Sequence, residues 1–138
     1  MNRPTGRDQG SAGVEAAIAV TSLMMVGFFI VGALRVTNTA GDVDAAARSA
    51  TRAAAAEYYD ASAFQTAQAV VASELADRGV ACEQLNVRVG GTLAAGGVIT
   101  VDVTCVVSLA DVVLAGFPGS KTVSGRGVEQ VDVVRGGR

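Results

Sequence analysis

Histidine and tryptophan are absent from this chain of 138 residues, lysine occurs once, at Lys121, and there are only two prolines and two cysteines. Without histidine there can be no Ser-His-Asp or Cys-His nucleophilic site and no His-containing metal site. Aromatic residues make up 4% of the chain, so the 50% that is hydrophobic is largely alanine and valine. A formal net charge of −2, with no Lys/Arg cluster interleaved with aromatics, leaves no basic field for nucleic acid. Cys82 and Cys105 are too few ligands for a metal and lack the C-x-x-C spacing of redox catalysis. Asp102, Asp111 and Glu129 read as isolated, solvated acids. No enzymatic constellation, cofactor or small-molecule substrate is expected.

What the chain does have is one long uncharged run. From Ala16 to Leu34 no residue carries a charge, and nineteen helical residues at about 1.5 Å each span roughly 29 Å, close to the hydrocarbon thickness of a bilayer. Glu15 sits at its edge, where a carboxylate is either held at the headgroups or retained for a purpose. Arg3 and Arg7 precede the run, favouring a cytoplasmic N-terminus and an extracytoplasmic body. Arg35 follows it and counts the other way, although its long side chain can snorkel to the far headgroups. The competing reading is a cleaved secretory signal, with "TNTAG" at Thr37–Gly41 as the small-residue junction.

Beyond the run, helical character continues. "RVTNTAGDVDAAARSATRAAAAEYY" contains no proline, and its alanines have the highest helix propensity. Val36, Val43, Ala46, Ala47, Ala50, Ala54 and Tyr58 recur near a helical period, with Asp44, Arg48 and Arg52 opposite and Asp44 and Arg48 at i,i+4. Gly41 is a candidate kink. Two compatible readings follow: an amphipathic helix covering a small domain, and a stem whose small-residue seam lets like helices approach.

A second helix is capped by Asp60 or Ser62, carries a stripe of Phe64, Ala67, Val71 and Leu75, pairs Glu74 with Arg78, and stops at Gly79. The period then changes to two. Leu85, Val87 and Val89 alternate with polar residues, and after "GGTLAAGG" so do Ile99, Val101, Val103, Cys105 and Val107, which predicts a hairpin with a longish loop. "KTVSGRGVEQVDVV" reads as a third strand, in which Gly125 and Gly127 suggest a bulge. "ADVVLAGFPGS" is an apolar crossing segment ended by Pro118-Gly119.

The expected fold class is therefore α+β: a long N-terminal transmembrane and stem helix, a second helix, and a small three-stranded antiparallel sheet. In domains this is a leader over 1–10, the membrane and stem helix over 11–59, and an extracytoplasmic head over 60–138. In an exported head this small, Cys82 and Cys105 are expected to form a disulfide, with two buried free thiols as the alternative. Matching apolar faces pairs odd positions with odd, for instance Val87 with Val101. Cys82 must then precede the strand, in the turn after Gly79, to reach Cys105.

The order "GSAGVEAAIAV", with Gly10, Ser11 and Glu15 ahead of the apolar run, resembles the processing site of type IV prepilin-like proteins, most of all the TadE/TadG group of minor pilin-like proteins in tight-adherence (Flp) pilus systems. "VDVTCVVSLADVVLAGFPGSKTVSGRG" is similar to the C-terminal half of such proteins in high-GC Gram-positive bacteria. The resemblance implies a pilin-like fold and cleavage by a prepilin peptidase between Gly10 and Ser11, so that Glu15 becomes the fifth residue of the mature chain. It implies other pilin-like subunits and the assembly machinery as partners, and a single-pass location in the cell membrane or in a surface pilus. Glu15 would set the register between subunits. Ala16 stands where the major pilins carry tyrosine, and the chain is much longer than theirs, which argues against the major subunit. The remaining alternative is a secreted small binding domain freed by signal-peptide cleavage.

Overall fold

The computed structural model describes residues 9–108 and 119–136. The leader residues 1–8 and most of the apolar crossing segment, with Asp111 and Pro118, lie outside the described residues. The fold is α+β: a long helix α1 (Gln9–Ala55), a helix α2 (Asp60–Asp77), and a three-stranded antiparallel sheet in the order β1 (Gln84–Gly91), β2 (Val98–Ser108), β3 (Ser120–Gln130). The chain divides into two compact units, Met1–Leu34 and Arg35–Arg138.

The first unit holds the apolar part of α1. Side chains at positions 12–31 are all exposed, with Phe28, Phe29 and Leu23 among the most open. This apolar segment buries nothing of itself within the chain, and its length and composition fit a single-pass membrane anchor.

In the second unit α1 runs on through Gly41 and turns amphipathic. Val43, Ala46, Ala47, Ala50 and Ala54 are fully buried, which places the small-residue seam against the chain's own sheet and second helix rather than leaving it open to like helices. Val36 is half-buried. The helix ends at Ala55, four residues short of the expected Tyr59. Ala56 and Glu57 donate to Ala53 and Ala54, i,i+3 bonds that tighten the last turn, and Tyr59 turns extended (φ −127°, ψ 141°) to precede α2. Tyr58 is consequently exposed (73%) instead of lying on the seam.

Two details of α2 differ from expectation. The cap position is Tyr59, without a side-chain cap; Asp60 lies in the first turn, where the helix dipole favours it, and Ser62 donates back to the Tyr59 carbonyl at 2.9 Å. The buried stripe is Ala63, Ala67, Val71 and Leu75, with Phe64 turned 41% outward, because alanine lets α2 approach its neighbours more closely than phenylalanine would. The C-terminus is as expected. Gly79 has φ 69°, Val80 donates to Leu75 and Gly79 to Ala76, the paired bonds of a Schellman motif.

The sheet keeps the expected parity but shifts its register by two: Val87 faces Val103, and Val101 faces Val89. Ile99, Val101, Val103, Cys105 and Val107 are buried on one face, and even-numbered residues of β2 form the other. β3 pairs with β2 without interruption from Ser108↔Ser120 to Val98↔Gln130, so Gly125 and Gly127 make no bulge. They lie under α1. A Cβ on Gly125 would stand 2.5 Å from Asp44 Cα, and one on Gly127 would stand 2.5 Å from the Ala47 carbonyl oxygen and 2.0 Å from Thr51 Oγ1. Helix backbone meets strand backbone here, and only glycine leaves room. The strand also stops earlier than Val134. Val131 instead exchanges backbone hydrogen bonds with Gly96 and Gly97, and Val133–Gly136 form a 3-10 turn.

Candidate functional site

Gly10, Ser11 and Glu15 all lie on α1, in the first unit. Glu15 is exposed and has no hydrogen-bond or ion-pair partner among the described residues. Its carboxylate stands one residue before the uncharged run and beyond the first turn of α1, which begins at Gln9 and holds no acidic residue. The backbone is helical through Gly10 and Ser11, ahead of the uncharged run that begins at Ala16.

The second unit, Arg35–Arg138, joins the later part of α1 to residues 60–138 and is called the head from here on. Among the described residues its core contains no aromatic side chain: it is built from valines, alanines, Ile99, Leu75 and Cys105. Such a core buries little area per residue, and the disulfide compensates. Cys82 and Cys105 are joined, with Cα atoms 5.4 Å apart. Cys82 lies in the turn between Gly79 and β1, as the face argument requires; Leu85, not Cys82, sits opposite Cys105. Glu83 N–H donates to the Val106 carbonyl at 2.7 Å, extending the pairing to the edge of that turn. The bridge therefore ties the exit of α2 to the middle of the central strand.

Four polar features depend on tertiary contacts that the sequence does not display. Thr51 is buried under β3 and donates to the Ala47 carbonyl at 2.6 Å, so its hydroxyl needs no external partner. Asp44, expected on a solvated face, pairs with Arg48 and also accepts the Arg126 backbone N–H at 3.3 Å, so that α1 satisfies an amide of β3. Arg78 bridges Glu74 and, from 36 residues away, Asp42, each at 3.1 Å. The side-chain hydrogen bond to Asp42, then that to Glu74, holds the Arg78 guanidinium above its ordinary pKa. Asp102 is likewise no isolated acid. It binds Arg126 across the outer sheet face, and that hydrogen bond raises the Arg126 pKa. Among the described residues no three His, Cys, Asp or Glu side chains gather in a way that could hold a metal ion.

The Asp42–Arg78 bridge floors a cleft of about 320 Å³ where α1 enters the head, lined by Arg35, Asn38, Thr39, Val80, Ala81 and Ser108 among others.

No family model, no curated protein and no solved structure matches the chain. Fold and surface by themselves define a small α+β domain with one N-terminal helix of a length and apolarity that fit a single-pass membrane anchor.

Proposed function

We propose that the chain is a minor pilin-like subunit or assembly factor of a tight-adherence (Flp) pilus or secretion system, anchored by α1 with its head outside the cell. The head has no chemistry of its own on this reading. The observation that carries it is the spacing Gly10-Ser11 and Glu15 immediately before an uncharged run of membrane length. A prepilin peptidase cutting after Gly10 would free an α-amino group on Ser11, about 6 Å of helix from the Glu15 carboxylate. Between staggered helices in a low-dielectric bundle, that ammonium on one subunit offsets the carboxylate of the next, while a slipped neighbour leaves it unpaired. The pairing then selects one axial register.

N-terminal sequencing of the mature protein tests the assignment. A start at Ser11 is expected, and Gly10→Val should block processing and leave the longer form, because the junction needs close backbone approach. A start near Gly41 identifies the secreted domain instead, and an intact Met1 a plain anchored protein.

Glu15→Gln separates charge from shape. Insertion, leader removal and the head fold should all persist, since loss of a charge beside an apolar helix only eases insertion. Cross-linked adducts with pilin-like partners through α1 should fall, together with pilus production. Wild-type assembly in this variant would make Glu15 an interfacial bystander.

A further inference from the structure

We infer that the cleft between α1 and the turn after α2 is a binding site for the phosphodiester of a membrane phospholipid, with Arg35 as its anion ligand. Four charged side chains bear on it or its floor: Arg35, Arg78, Asp42 and Glu74. Asp42 and Glu74 both engage Arg78, at 3.1 Å each, so that guanidinium is already satisfied by two carboxylates. Arg35 is different. Its backbone carbonyl accepts the Thr39 hydroxyl, but its guanidinium has no hydrogen-bond or ion-pair partner among the described residues, and neither has the Asn38 amide. One unpaired guanidinium with an amide donor beside it suits an anion of single charge, which a phosphodiester is. The planar fork of arginine presents two parallel N–H groups to two phosphate oxygens.

Depth along the helix selects the source of that phosphate. Arg35 is the first residue after the uncharged run that ends at Leu34. If that run crosses the hydrocarbon, as the proposed anchor requires, Arg35 emerges at the level of the headgroups. The cleft, at about 320 Å³, is of the size that admits a small polar ligand rather than a water or two. Apolar contact is available from Val80 and Val107 for the glycerol backbone, beside the polar Asn38 and Thr39. Arg35 thus acts at a fixed place: a headgroup held there would fix how deep the head sits at the membrane surface.

The test uses the full chain in a neutral detergent, titrated with phosphatidylglycerol and read by native mass spectrometry for lipid retained per protein. Wild type should keep one phospholipid. Arg35→Gln should weaken retention about tenfold, as expected for losing a charge-assisted pair of hydrogen bonds. Arg35→Lys should fall between, because a point charge replaces the fork. Ala81→Phe fills the cleft while keeping every charge and should also lower retention, whereas Arg52→Gln, on an exposed part of α1, should change nothing. Thermal unfolding of each variant shows that the head is intact. Retention unchanged in Arg35→Gln or in Ala81→Phe overturns the site, the second result meaning that arginine acts at the bilayer surface alone. Glycerol phosphate or inorganic phosphate competing as well as lipid would make it a soluble-phosphate site and overturn the lipid assignment. Co-flotation with vesicles is scored separately: failure of the wild type to float removes the anchor reading itself, while flotation without retained lipid removes only the cleft.

Discussion

Gly127→Ala is expected to lower the thermal midpoint of the head by more than 10 °C, and Gly127→Val to prevent its folding. The new Cβ would lie 2.0 Å from Thr51 Oγ1 and 2.5 Å from the Ala47 carbonyl oxygen, separations that no side-chain rotation can relieve at the backbone atom. Strand β3 must lift from α1 and forfeit packing around Thr51 and Val43. Overpacking alone costs about 1–3 kcal/mol, and each kcal/mol moves the midpoint of a domain this size by about 4–8 °C. Thr51→Ala in the same chain should restore part of the loss by removing the Oγ1 clash, and not all of it, since the Ala47 carbonyl remains. Gly90→Ala is the contrast: its nearest neighbour would be Thr100 Oγ1, the end of a side chain, at 3.2 Å. Circular dichroism melts of the four proteins check this, and a Gly127→Ala head as stable as wild type would refute the backbone-to-backbone contact.

Removing the disulfide should have an effect of similar size. Cys82 and Cys105 close a loop with a separation of 23 residues, for which the chain-entropy account gives about 3 kcal/mol. Replacing both with alanine, or reducing the wild type, should therefore lower the midpoint by roughly 10–20 °C. The bridge matters more here than in a larger domain because the core formed by the described residues holds no aromatic side chain and is rich in alanine. On a non-reducing gel the unmodified protein should show an intramolecular bridge and no free thiol. Two thiols that alkylate freely in the native protein would show that the valine and alanine core is sufficient.

Periodicity carried most of the architecture. The switch from a helical period to alternation after Gly79 placed α2, β1 and β2 almost where they lie, and the uncharged run from Ala16 to Leu34 announced the apolar helix. Gly79 stops α2 because a positive φ is a local property, readable from a glycine after a helical stripe. The alternation also determined which face of each strand is buried, hence odd opposite odd and Cys82 ahead of β1. It could not choose Val103 over Val101 as the partner of Val87, because a shift of two residues leaves every side chain on its face. The candidate site divides in the same way. Gly10, Ser11 and Glu15 were singled out by a resemblance in linear sequence, which needs no tertiary contact to be noticed. Arg35 was visible only as a flanking charge, while Asp42 meets Arg78 across 36 residues, and the cleft exists only once α1 and the turn after α2 are docked. The glycines of β3 are the clearest case. In a single strand Gly125 and Gly127 are equally consistent with a bulge and with a close neighbour, and nothing local distinguishes them. Only the tertiary packing decided, because the atoms that exclude a side chain there belong to Asp44, Ala47 and Thr51, on a helix more than seventy residues earlier in the chain.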